Sequence, residues 1–124
     1  MSKSKYLLLL LFFFFSTNHF CVADDAVINL EYRGNHDHHG QPLFPSDQPD
    51  VYYDDDTQVI IVDGTGYSTY YNVEITSLST FNVMISTCVN GNYDTIDVVS
   101  LPDDDYEIVI TSSYNNVFEG YFTM

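Results

Sequence analysis

Tryptophan is absent from this 124-residue sequence, cysteine occurs twice, and lysine and arginine together occur three times. Each scarcity excludes something. Cys21 falls in a leader segment described below, so Cys88 stands alone and no intramolecular disulfide can form in the remainder. The fold must rest on an apolar core, and as a mid-strand residue Cys88 is expected to be a small buried hydrophobe. Without a cysteine pair and a tryptophan, the disulfide-and-Trp core of antibody domains is excluded. The shortage of cations argues against partners rich in phosphate, since nothing would offset their charge. No window repeats the i, i+3, i+4 apolar spacing of an amphipathic helix, so helical folds are excluded as well. No apolar run reaches the roughly 20 residues that a membrane-spanning helix requires.

What is present begins with that leader. Lys3 and Lys5 precede an apolar run from Tyr6 to Phe15, then the polar stretch Ser16 to His19, then Cys21-Val22-Ala23. A charged start, a short apolar centre and small residues before a cut are the pattern of a secretory signal peptide, here residues 1–23. Export to the periplasm or beyond is therefore expected. A second processing route would cut before Cys21 and anchor that residue by lipid, but Phe20 stands where a small residue is needed. Cleavage after Ala23 leaves 101 residues in which Arg33 faces all 18 acids, a formal charge of −17.

The exported part divides in two. Residues 24–50 combine a short strand candidate, Ala26 to Tyr32, with a linker rich in Gly, His, Pro and Asp that contains Pro42, Pro45 and Pro49. Residues 51–124 alternate short apolar runs with turn signals about every ten residues, as sandwiches and barrels do. Strands are expected at Gln58 to Val62, Thr69 to Ser77, Phe81 to Val89, Thr95 to Val99, Tyr106 to Ser112 and Val117 to Met124. Period-two alternation puts Tyr71, Val73 and Ile75 on one face, with Phe81, Val83, Ile85 and Val89, with Ile108 and Ile110, and with Phe118 and Phe122. Asn90-Gly91-Asn92 and Asn115-Asn116 are turn signals. The fold class is all-β: an Ig-like β-sandwich of about seven strands without a disulfide.

Several segments of the second half carry a likeness. Tyr70-Tyr71-Asn72-Val73-Glu74-Ile75 is followed by Asp94-Thr95-Ile96-Asp97-Val98-Val99-Ser100-Leu101-Pro102. Then come Tyr106-Glu107-Ile108-Val109-Ile110-Thr111 and Phe118-Glu119-Gly120-Tyr121-Phe122. From about Pro49 to Met124 this resembles small secreted Bacteroidetes proteins of the DUF3244 type, of unknown function. The resemblance implies an Ig-like sandwich behind a signal peptide and a variable stretch. It supplies no catalytic residues. The family's glycine before the Tyr strand is replaced by Asp103-Asp104-Asp105, and aspartate tolerates the left-handed backbone that such a turn would ask for. The same terminal pattern is similar to sorting domains of the type IX secretion system.

Four sets of residues are candidates for chemistry. His36, His38 and His39 have the side chains that bind zinc, copper or nickel, and in extended chain His36 and His38 share a side. Their flanks, Gly34 and Gly40, offer no rigid frame, so a solvated linker is the simpler expectation. Asp54 to Asp56 and Asp103 to Asp105 lack the spacing of a calcium loop and read as solvated turns. No Ser/His/Asp or Cys/His set is present outside the linker, so no catalytic residue and no cofactor is assigned. Tyrosines are the fourth set: Tyr52, Tyr53, Tyr67 and Tyr70 are candidates for a contact surface, because tyrosine is amphipathic and loses little entropy on binding. The expected function is non-enzymatic, either binding of a glycan or protein surface or a structural role. The alternative is a sorting or assembly module whose terminal strand matters more than its faces.

Overall fold

The computed structural model describes residues 26–35 and 46–124. Among them there are nine strands and no helix. The strands are β1 Ala26–Ile28, β2 Glu31–Asn35, β3 Asp50–Asp54, β4 Val59–Asp63, β5 Tyr70–Ser77, β6 Val83–Asn90, β7 Tyr93–Asp97, β8 Asp105–Ser112 and β9 Asn116–Thr123. They form two antiparallel sheets, the first ordered β1-β3-β4-β7 and the second β2-β9-β8-β5-β6.

The strands form where alternation is strongest. β5 reads YYNVEITS, and its Tyr71, Val73, Ile75 and Ser77 are buried. β8 matches it with Tyr106, Ile108, Ile110 and Ser112, set directly opposite in the order Ser77, Ile75, Val73, Tyr71. Phe118 and Phe122 of β9 continue this inner face, while Ile60 and Val62 of β4 bring the first sheet against it. Burying each such side chain contributes about 1.5–3 kcal/mol. Tyr106 and Phe122 stack at 5.3 Å between ring centroids. The Tyr106 hydroxyl donates to the Pro102 carbonyl four residues upstream. This is the tyrosine corner of Ig-like sandwiches, a side chain that pins the link between sheets.

The strand count exceeds the expected seven for two local reasons. The first expected strand is two: β1 pairs with β3 in one sheet, and after Asn29 and Leu30 the chain continues as β2, paired with β9 in the other. In addition, Asp50 to Asp54, at the junction of linker and domain, is the strand β3. Its Val51 and Tyr53 point inward. Residues 26–35 thus supply an edge strand to each sheet.

The Phe81 to Val89 expectation needs correction. Phe81 is not a core residue: it is 79% exposed, in a turn where its φ is +60°. A register shift then falls between the pairs Ile75–Ile85 and Thr76–Val83, with Met84 as the extra residue of β6, and Val83 is exposed too. Cys88 is exposed rather than buried, because Val89 and not Cys88 opposes the buried Tyr71. The Asn90-Gly91-Asn92 turn exists, but β6 and β7 lie in different sheets, so it is a crossover and not a hairpin. Asn115 does adopt the left-handed conformation, with φ of +64°. The Asp103 to Asp105 turn needs no left-handed aspartate, since none of the three has positive φ.

Candidate binding site

The two ends of the sandwich differ in chemistry. One end gathers the loops that follow β4, β6 and β8. Gly64 N donates to Asn92 O at 2.7 Å, and Gly91 N donates to Thr69 O at 3.1 Å. Ser113 N donates to Ser68 Oγ at 3.0 Å, and Thr69 N to Ser113 Oγ at 3.0 Å. Residues 64–69, 91–92 and 113–115 are therefore bonded into one surface. Two glycines permit that closeness. A Cβ on Gly64 would lie 1.8 Å from the Gly91 carbonyl oxygen, and one on Gly91 would lie 1.8 Å from that of Ser68.

Below this surface lies a buried polar network. Asp47 accepts from Asn116 Nδ2 at 3.0 Å on each carboxylate oxygen. Its backbone carbonyl accepts from the Tyr71 hydroxyl at 2.7 Å. Asn116 Oδ1 in turn accepts from Asn35 Nδ2 at 2.7 Å and the Tyr32 hydroxyl at 3.2 Å. Burial first, and the Asp47 charge second, push the Tyr71 hydroxyl up from the usual tyrosine range, so it stays a donor. The network ties the chain entering β3 to the ends of β2, β5 and β9, and gives the loops a rigid floor.

Four exposed tyrosines stand on or beside these loops: Tyr67 at 63%, Tyr70 at 41%, Tyr93 at 58% and Tyr114 at 61%. Tyr67 and Tyr70 belong to the expected set. Tyr93 and Tyr114 do not, because they are distant in sequence, and only the crossover after β6 and the turn after β8 bring them to this end. The signal for both was present in the adjacent turn residues, Asn92 and Asn115. The other two expected residues are elsewhere. Tyr53 is 5% exposed, packed against Phe122 in a tilted ring pair at 5.7 Å between centroids, and cannot form a contact surface. Alternation along β3 explains this, since Tyr52 and Tyr53 must face opposite ways. Tyr52 is half-buried between Val27 and Ile61 on neighbouring strands.

The opposite end is acidic. It combines the β3–β4 turn, with Asp54 to Asp56, and the approach to β8, with Asp103 to Asp105. Val98 N bonds Gln58 O at 3.0 Å, which brings these segments side by side. Burial, then Asp55 and Asp103, push the Tyr53 hydroxyl up, a sign that both turns face the same ring. Asp54 acts on its own turn, and Asp104 ties its turn to the end of β5. Asp54 accepts from Thr57 Oγ1 at 2.8 Å and from Asp56 N at 3.0 Å. Asp104 Oδ2 accepts from Ser77 Oγ at 2.6 Å and Ser79 Oγ at 2.5 Å, and these bonds hold its carboxyl below the usual range. Among the described residues no group of three or more His, Cys, Asp or Glu side chains is placed to hold a metal ion. His36, His38 and His39 lie outside the described residues.

Two surface clefts are small. One of about 160 Å³ lies between β1 and β3, and one of about 70 Å³ lies over Asn72, Glu74 and Ser86. Neither reaches the several hundred Å³ of a pocket that encloses a small molecule.

No family model and no curated protein matches this sequence. Among solved structures, the chain is similar to a crystal structure of a DUF3244 family protein with an immunoglobulin-like β-sandwich fold from Bacteroides vulgatus. The TM-score is 0.63 at 17% identity, over 82% of this chain and 99% of that one. The strand topology, the tyrosine corner and this match together identify the fold as the Ig-like β-sandwich seen in a DUF3244 family protein.

Proposed function

We propose that this protein is exported and acts, without catalysis, by binding a neutral glycan through the tyrosine-bearing end of its sandwich. The observation that carries the reading is the convergence of Tyr67, Tyr70, Tyr93 and Tyr114 on loops bonded over a rigid floor. Aromatic rings offer flat apolar faces with a polar rim, which suits the alternating C–H and O–H surfaces of sugars. Side chains from Asn90, Asn92 and Asp94 near the same loops add hydrogen-bonding groups. An open surface matches an extended polymer better than a small molecule. The excess of acids disfavours sulfated or phosphorylated ligands. Export rests on the leader pattern at residues 1–23, which lies outside the described residues. The alternative, docking through the terminal strand, is less well served. β9 is hydrogen-bonded on both sides, to β2 and β8, and has no free edge.

The test is an array of neutral and charged polysaccharides probed with the purified protein. Binding to neutral glycans is expected. Tyr67→Ala or Tyr114→Ala should weaken it about tenfold, the worth of one stacked ring. Tyr121→Ala, an exposed tyrosine on the second sheet, should leave it unchanged. Binding only to anionic glycans, or equal loss with Tyr121→Ala, would overturn the proposal. So would a silent array accompanied by capture of a protein ligand through the same tyrosines.

A further inference from the structure

One strand carries none of the chain's 18 acids. No charged residue occurs from Ile75 to Tyr93, within a chain of 18 acids. β6 occupies the middle of this stretch and, among the described residues, is the outermost strand of the second sheet, paired with β5 alone. Six of its eight residues are exposed. Its inner face is covered at Val89, but Thr87 on the same face is open to solvent.

The other edges are blunted in ways that discourage strand pairing. β1 is three residues long. β2 carries Glu31 and Arg33 and a bulge between Tyr32 and Gly34. β7 carries Asp94 and Asp97. β6 has none of these charges, and its bulge lies at its start, leaving Ile85 to Asn90 regular.

The direction of the free backbone groups follows from one bond. Asn90 N donates to Asp94 Oδ2 at 3.0 Å, so Asn90 turns its N–H away from β5. In an antiparallel strand the bonding direction alternates. Cys88 and Ser86 therefore also direct N–H and C=O outward, at spacings that match an incoming strand.

We infer that β6 is a docking edge for an extended, lysine-bearing segment of another protein, which adds beside it as a sixth strand of the second sheet. Charge decides the occupant. Glu74 lies opposite Ser86 on β5, Glu107 lies opposite Thr76 on β8, and Asp94 stands at the end of β6. An added strand with lysines on its outer side meets these carboxylates; among the described residues Arg33 is the one Lys or Arg, and it is committed to Glu119 at 2.9 Å. A second copy of the chain would instead bring another strongly acidic molecule against the same carboxylates. Backbone bonds supply affinity and the alternate side chains supply selectivity, as in other strand-addition complexes.

The probe is a ten-residue peptide alternating Lys with Thr and Val, titrated against the purified protein while amide exchange of β6 is followed. Binding should protect the amides of Ser86 and Cys88 and weaken with added salt. Ser86→Pro removes an outward N–H without touching the β5 ladder, and should weaken binding about tenfold. A peptide with Glu in place of Lys should not bind, and neither should one methylated on alternate backbone nitrogens. Binding that survives Ser86→Pro, or is equal for the Glu peptide, would overturn the inference. Dimerisation of the protein alone through β6 would overturn it too, by naming a second copy as the occupant. If Ser86→Pro fails to fold, Cys88→Glu tests the charge argument in its place: a carboxylate added beside the incoming strand should keep or strengthen binding of the lysine peptide. A loss of lysine-peptide binding in Cys88→Glu would then contradict the charge argument.

Discussion

Asp47 shows how single side chains position the tyrosine-bearing end. Its carboxylate is buried and takes both oxygens' bonds from Asn116. Removing the amide in Asn116→Ala leaves a buried carboxylate short of its donor and should cost about 1–3 kcal/mol in denaturant unfolding. Asp104 gives a pH signature. Its hydrogen bonds from Ser77 and Ser79 lower its pKa in the folded state below the ordinary 3.8. A depressed carboxylate stabilises the fold above its unfolded pKa, and that stability is lost as pH falls through the folded value. Asp104→Asn should therefore be less stable than the parent near neutral pH, and the gap should close below about pH 4. A gap that is constant from neutral pH to pH 2 would show that the Ser77 and Ser79 bonds do not depend on the charge.

At the scale of elements, alternation was readable wherever both faces had clear destinations. β5, β8 and β9 each have one face in the core, so Tyr71, Ile108 and Phe118 were legible as buried. Ile108→Asp should prevent folding, since it puts a charge into that core with no basic partner; a cooperative melt in this variant would refute the face assignment. β6 was misread because an edge strand need not cover its inner face, and because a bulge resets its register. β3 was missed because a strand beginning at Asp50 and Val51 follows directly on Pro49, a residue that marks loops in sequence and here is buried. Half of the tyrosine set was legible. Tyr93 and Tyr114 depend on which loops meet, and that is decided by topology. The glycine contacts are the sensitive point of that meeting. Gly64→Ala or Gly91→Ala must push a carbonyl away and should cost about 2–3 kcal/mol, read in thermal melts.

The whole molecule is a sandwich with one acidic end, one tyrosine-bearing end and an uncharged edge. Its excess of negative charge opposes compaction. Sodium chloride should raise the melting temperature by screening once the Debye length falls below about 10 Å. Calcium at matched ionic strength should do no more, because Asp54 is spent on its own turn, Asp104 on Ser77 and Ser79, and no three acidic side chains among the described residues are grouped to hold a metal ion. A saturable calcium excess would contradict that reading of the acidic end. Resonance mapping reads the other, tyrosine-bearing end. With a neutral polysaccharide fragment titrated into the labelled protein, shifts should be confined to Tyr67, Tyr70, Tyr93, Tyr114 and their loops. Shifts centred on the acidic turns or on the outer face of the second sheet, with those four tyrosines unmoved, would contradict glycan binding at this end.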